Sequence, residues 1–272
     1  RLATRINRWL LVRALQRWMR TTGFQRPIVW TYLPTPLVRA VIQELNPIMT
    51  VYYCTDDLAS SSRSARRIHR SEERLLREAD LVFVTSEKLR ERASRFNPRV
   101  SVFSSGVDFD RFERVRMSPD QIPPELQRLR RPVIGYVGGL HQWVDQELLA
   151  TAAARLPHAN FVLIGPCQID TAKLRRYANV HLLGARSHET IPAYIKGFDV
   201  ALVPYRLSEY TMHVYPAKLH EYLAMGVPVV STDLPEIQRF NRAYGQVVTI
   251  AASPEEFVDA IGRAAAPQLP ED

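Results

Sequence analysis

The chain has 272 residues, 46% of them hydrophobic, which is enough for two domains of ordinary size with a core each. Its formal charge of +8 is unevenly divided: residues 1–130 carry 24 Lys and Arg against 14 Asp and Glu, net +10, and residues 131–272 carry 12 against 14, net −2. Two distant cysteines, Cys54 and Cys167, speak against a disulfide framework or zinc site, and no apolar run reaches the roughly 18 residues of a membrane span.

Residues 1–20 read as a basic helix, with Leu2, Ile6, Trp9, Leu10 and Met19 largely on one side and Arg1, Arg5, Arg8, Arg13, Arg17 and Arg20 around the rest. Arginine interrupts it too often for a signal peptide, and the first residue is Arg rather than Met, as in an excerpt or a processed chain. Trp beside Arg suits an interfacial helix, whereas the strand that follows favours packing against a sheet. That strand, Pro27 to Tyr32, leads to a helix from Pro36 to Leu45 and a strand from Thr50 to Tyr53, a βαβ pattern. Asp56 and Asp57 then fall in the loop at the strand's carboxyl end, where open α/β sheets keep their chemistry. They could hold Mg²⁺, orient an acceptor hydroxyl, or simply make an Asx turn. A charged helix over 62–79, a strand from Leu81 to Thr85 and Ser86 as N-cap come next.

Gly106, in VSVFSSGVDFDRF, supplies a turn. A linker fits best at 117–131, which holds Pro119, Pro123 and Pro124. A second βα series starts with the strand Val133 to Val137. Gly138 and Gly139 follow and let the backbone approach a ligand at the N-terminus of a helix from Gln146 to Arg155. Strands are expected at Asn160 to Ile164 and Val180 to Leu183, with Ser187 capping a helix from His188 to Lys196. DVALVPYRLSEYTMH is a strand and a polar loop, whose Tyr205, Tyr210 and His213 are expected to face a ligand. A last helix is expected from Pro254 to Ala266.

The most informative stretch is Tyr215 to Glu236. Pro216 suits the start of a helix, Leu219, Tyr222 and Leu223 share a face, Gly226 ends it, and Val227 to Thr232 reads as a buried strand. Lys218 lies in the first turn, where the helix dipole disfavours a cation, so it makes better sense beside an anion. It is one of four lysines against 32 arginines. Glu221, one turn later, can accept two hydrogen bonds from a vicinal diol such as a ribose. A diphosphate and a ribose together mean a nucleotide. The plain alternative is an amphipathic helix with solvated Lys and Glu.

PAKLHEYLAMGVPVVST, residues 216–232, resembles the donor-binding motif of GT-B glycosyltransferases, especially the retaining bacterial enzymes of group 1. Two upstream segments resemble others of that family: ExxLxxxADxVxxxS from Glu72 to Ser86, and Val100 to Phe112, where Ser104 and Ser105 replace a frequent Pro-Asn. The resemblance implies an α/β chain of two facing Rossmann-like domains. Residues 1–116 would be a partial acceptor-side domain, lacking the family's opening strand and glycine loop; 117–131 the linker; and 132–272 the nucleotide-sugar domain. It implies donor binding by Gly138, Gly139, Arg186, Tyr215, Lys218 and Glu221, and catalytic roles for Asp57, Lys218 and His213. His213 stands where the family often has a further Glu, and His141, Gln142 and Trp143 occupy a stretch where relatives commonly add a Lys.

The expected reaction is transfer of a sugar from a nucleotide diphosphate sugar to a glycan, lipid or small-molecule acceptor, with retention and without metal or cofactor. The alternative is a nucleotide-sugar-binding module or inactive fragment without turnover. A cytoplasmic location is expected, with the inner membrane face as a possible site of peripheral attachment. The basic half suggests an anionic membrane surface, a lipid-linked acceptor, nucleic acid or no partner at all. Nucleic acid is disfavoured because neither an aromatic RNP pattern nor a helix-turn-helix occurs.

Overall fold

The computed structural model describes residues 2–62, 64–119 and 122–266, and the chain divides between Ser104 and Ser105 into two compact units. Both are built on parallel sheets. The α/β class expected from the alternating pattern is therefore what forms.

In the first unit α1 (Leu2–Thr22) precedes β1 (Ile28–Thr31), α2 (Pro36–Leu45), β2 (Met49–Cys54), α3 (His69–Glu78), β3 (Leu81–Val84), α4 (Glu87–Ala93) and β4 (Val100–Val102). The four strands lie in chain order, β1-β2-β3-β4. Local chemistry sets the helix ends. Thr35 accepts the Val38 N–H, Asn46 closes α2 in the left-handed conformation, and Ser86 accepts the Leu89 N–H as the sequence suggested. The core is Tyr52, Cys54, Leu75, Leu76, Val82, Val84 and Leu89, so alternate strand residues bury one face of the sheet. The other face carries a row of rings, Trp30 stacked on Phe83 and edge-on to Tyr53.

The second unit holds a six-stranded sheet in the order β10-β9-β8-β5-β6-β7, from β5 (Val133–Val137), β6 (Asn160–Ile164), β7 (Val180–Gly184), β8 (Val200–Val203), β9 (Val229–Thr232) and β10 (Val248–Ala251). Read from β7, this is the doubly wound order 3-2-1-4-5-6, whose direction reverses between β5 and β8. Every residue of β5 and β8 is buried, as central parallel strands require. Gly135 is needed there because a Cβ would sit 2.0 Å from the Phe198 ring.

Several elements differ from expectation. The domain boundary falls at 104/105 rather than after 116: α5 (Phe109–Met117) and α6 (Pro124–Gln127) bury Phe112 and Leu126 in the core of the second unit. Apolar side chains on a short helix are attracted to whichever core is open to them, and proline content did not reveal which. The charged helix expected over 62–79 forms only from His69; ahead of it the chain makes short 3-10 turns at Leu58–Ser60 and Ala65–Ile68. α1 packs on α2 rather than on the sheet, and Val12 is its buried side chain among those described. Ser187 does not cap a helix. The helix there, α8 (Ile191–Lys196), starts later, and the Ser187 carbonyl instead accepts the Thr190 N–H in a turn. Two further helices, α7 (Gln146–Arg155) and α9 (Lys218–Ala224), frame the site below; the expected Pro216 start lies two residues ahead of α9. A helix, α10 (Pro235–Tyr244), that the sequence reading did not mark precedes β10, and α11 (Pro254–Ala265) closes the unit.

Candidate functional site

The site forms at the carboxyl ends of β5 and β8, on either side of the point where strand order reverses. β5 runs into Gly138, whose φ of 141° is a conformation that other residues rarely adopt. Its N–H donates to the Ile164 carbonyl (2.8 Å), and the Gly165 N–H donates to the Gly184 carbonyl (2.9 Å), which laces the ends of β5, β6 and β7. Gly165 has to be glycine: its φ is 146°, and a Cβ there would lie 2.0 Å from the Gly138 carbonyl oxygen.

Lys218 opens α9 and aims its ammonium at this loop. A Cβ on Gly138 would come within 3.2 Å of Lys218 Cε and 3.3 Å of its Nζ. The ammonium lies 4.8 Å from the ring centre of Tyr205 and 5.2 Å from that of Tyr136, and it donates to the Tyr205 hydroxyl. Two tyrosine faces thus hold the cation by the attraction of their rings. The Tyr136 hydroxyl donates to the Gly139 carbonyl (3.1 Å); burial, and then Tyr205, push that phenol far above its ordinary pKa, so it stays a neutral donor. Tyr205, expected to face a ligand, is 5% exposed and supports Lys218.

Glu221 lies one turn beyond Lys218 on the same face. Burial raises its carboxyl pKa, opposed by His188 and Lys218, so α9 carries a half-buried acid that is costly to ionise in the free protein. The inward face of α9 carries Leu219 and Tyr222. The Tyr222 hydroxyl accepts the Val137 N–H at 2.9 Å and fixes the helix to the residue before the glycine pair.

Gly138, Gly139 and Lys218 are therefore brought together, with Glu221 one turn further along α9; Tyr136, Tyr222 and Gly165 are supporting partners that the sequence did not mark as such, and Tyr205, expected to face a ligand, is a fourth. At the start of α7, Asp145 caps the helix and accepts from both Glu147 and Leu148 at 3.1 Å, so those two N–H groups are engaged within the helix start.

The other candidates have partners of their own. Arg186 is exposed; it donates to the Tyr194 hydroxyl (2.8 Å) and pairs with Glu125 (3.6 Å). Tyr215 stacks on His220 (5.4 Å) and shares a 2.9 Å hydrogen bond with it, and burial, followed by Tyr244 and Glu236, pushes its phenol up to about 12. The His213 Nδ1 meets the Glu209 carbonyl at 2.9 Å, and Tyr210 packs on Trp143. Asp57, in the first unit, is 5% exposed. It pairs with Arg92 (2.8 Å) and accepts from Ser60, while Arg92 also pairs with the fully buried Glu72, which accepts from Tyr52 (2.9 Å). This is a buried ionic network that ties the loop after β2 to α3 and α4. Among the described residues no three His, Cys, Asp or Glu side chains converge as a metal-binding group, and no helix is long and apolar enough to cross a membrane.

Residues 131–266 match the family described as Glycosyl transferases group 1. TuaH of Bacillus subtilis (strain 168), named for glycosyltransfer in teichuronic acid biosynthesis, is 28% identical over 227 residues, which are 77% of this chain. The chain spans 57% of the length of that relative. Among solved structures, sucrose-phosphate synthase from Thermosynechococcus elongatus superposes with a TM-score of 0.71 at 18% identity, covering 93% of this chain and 67% of that one. Anabaena HepE in complex with UDP-glucose gives 0.71 at 17% identity, covering 87% and 68%. At such identities the likeness is one of fold, and it is the GT-B fold that these neighbours share.

Proposed function

The chain belongs to the glycosyl transferases group 1, and from that premise we propose that it transfers a glycosyl residue from a nucleoside diphosphate sugar to an acceptor hydroxyl. The observation that carries this reading is the Lys218 ammonium, held between Tyr136 and Tyr205 against the Gly138–Gly139 turn, with Glu221 one helical turn away. Breaking the bond between the anomeric carbon and the diphosphate leaves negative charge on phosphate oxygens. A cation and backbone groups fixed beforehand stabilise that charge more in the transition state than in the ground state. Lys218 takes that role and Glu221 holds the ribose diol. In this reading no divalent metal is needed, since the lysine supplies the countercharge.

HepE and a trehalose-6-phosphate enzyme of E. coli, both similar in fold, were solved with UDP-glucose and UDP-2-fluoro glucose, which makes UDP-hexoses the first donors to try. We further propose retention of configuration, a glycan or lipid-linked acceptor, and action at the cytoplasmic face of a membrane held by the basic first unit. Gly138 and Gly139 form the diphosphate turn, and His213 faces the sugar. Arg186 and Tyr215, held by Glu125 and His220, form walls of the donor site, and Asp57 acts through Arg92 as a positioning residue.

A nucleotide-sugar-binding module without turnover is the second reading, favoured by the four strands of the first unit against six in the second. Incubation with UDP-, GDP- and ADP-sugars, with and without candidate acceptors, separates the two. Acceptor-dependent release of a nucleoside diphosphate supports transfer, binding without release supports the module, and no binding of any donor overturns both.

A further inference from the structure

The glycine pair has three side chains against it. Tyr136 and Lys218 stand at Gly138. At Gly139 the neighbour is His141, whose Nε2 lies 2.7 Å, and Cδ2 2.9 Å, from where a Cβ would be. The imidazole is held from its other side: it stacks on Trp143 with ring centres 4.0 Å apart and planes 19° from parallel, and Trp143 rests in turn on Tyr210 at 5.0 Å. The loop backbone is pinned too, with the Val144 N–H donating to the His141 carbonyl (3.0 Å) and the Arg206 N–H to the Trp143 carbonyl (2.8 Å). A nitrogen-bearing ring edge is thus fixed beside the one turn of the second unit where two successive residues lack a Cβ next to a lysine.

We propose that His141 is the second cationic contact of the diphosphate site, neutral in the free protein and protonated once a nucleoside diphosphate is bound. The inference rests on the donor reading above and names a residue that reading did not use.

The charged and titratable groups around His141 make this switch. From α9 the Lys218 charge acts on it, and the rings of Tyr136 and Tyr205 hold that ammonium in place. Beyond Trp143, Asp145 is occupied in capping α7 and pairs with Arg206 at 3.6 Å. Burial, and then the Lys218 charge, lower the imidazole pKa in the free protein. A diphosphate neutralises the field of Lys218 and brings negative charge to the glycine turn, and opposite charge at close range favours the imidazolium by more than burial disfavours it. One proton then moves from solvent to the imidazole as the anion binds. By linkage, affinity rises as pH falls from the pKa of the complex to that of the free protein and levels off below it. A histidine suits this because its charge changes near neutral pH, whereas a second lysine beside Lys218 would repel it permanently.

The test follows the imidazole C2–H resonance through a pH titration of the intact chain, without ligand and with saturating UDP, the peak being identified by its loss in His141→Gln. The expected result is a pKa at least one unit higher in the complex, hence about tenfold tighter UDP binding at the acid end of the window. Calorimetry in buffers of different ionisation enthalpy supplies a second reading. Wild type should take up more protons per UDP than His141→Gln, and the difference cancels the titration of UDP itself. An unchanged or lowered pKa, or equal proton uptake by the two proteins, overturns the inference while leaving the diphosphate site standing. Failure of UDP, GDP and ADP alike to bind overturns the site and the inference with it.

Discussion

The hydroxyl of Tyr222 accepts the backbone N–H of Val137 at 2.9 Å, joining α9 to the last residue of β5. Lys218 and Glu221 project from α9 and the glycine turn begins at the next residue after Val137, so one buried hydrogen bond sets the register between the two halves of the candidate donor site.

Tyr222→Phe removes the acceptor and leaves a buried N–H without a partner, at a cost of about 1–3 kcal/mol. The expected outcome is a loss of stability in that range together with weaker nucleotide binding, measured by urea unfolding and by titration with UDP. A variant that binds UDP as tightly as wild type would show that the bond does not align the site.

Gly165→Ala should be far worse than its size suggests. The new methyl would sit 2.0 Å from the Gly138 carbonyl oxygen, at a φ that alanine resists. Backbone displacement of the glycine turn follows, with about 1–3 kcal/mol of strain and loss of nucleotide binding. Gly262→Ala is the control. It lies within α11 with nothing close to the added Cβ, so it should raise stability by about 0.5–1 kcal/mol.

For Glu221, stability and binding should move in opposite directions. An acid whose pKa is raised on folding favours the folded state at low pH and costs stability as pH rises through the raised value. Glu221→Gln should therefore be more stable than wild type at neutral pH, with the gain fading toward about pH 4, where the carboxyl is protonated in the unfolded chain as well. The same change should weaken nucleotide binding by about 1.5–3 kcal/mol, the range for hydrogen bonds to a charged group, while saturating turnover falls less. Thermal unfolding against pH, paired with calorimetry, reads both; unchanged UDP affinity would sink the ribose assignment.

Lys218→Ala should show the reverse kinetic pattern, with turnover at saturation falling more than affinity, because its charge meets the leaving diphosphate most strongly in the transition state. Activity should persist in EDTA. Abolition by EDTA with restoration by Mg²⁺ or Mn²⁺ would return Asp56 and Asp57 to consideration as metal ligands.

The first unit should bind anionic vesicles in a salt-sensitive manner, since α1 exposes Trp9, Leu10 and Trp18 among its arginines. Flotation with and without added salt measures it, and absence of binding at low ionic strength would leave the net +10 of residues 1–130 as a matter of solubility.

The sequence by itself determined what depends on neighbours along the chain. Ser86 marks a helix start because its side-chain oxygen reaches an N–H three residues on, and the apolar runs at Val133 and Val227 mark strands of the second sheet because their residues are buried. Lys218 and Glu221 were legible as a pair because one helical turn puts them on one face. What only the tertiary structure decided are contacts made across crossovers. The Tyr205 ring reaches Lys218 from 13 residues away and the Tyr222 hydroxyl reaches Val137 from 85. Gly165 must be bare because the Gly138 carbonyl, just beyond another strand, passes it and because the crossing holds its φ at 146°, and Asp57, which reads as an open loop acid, is enclosed by Arg92 from a helix 35 residues on. Residues 105–116 join the second unit for the same reason. Periodicity says that a side chain will be buried, but which core receives it depends on the shape of surfaces that exist only once the sheets have formed.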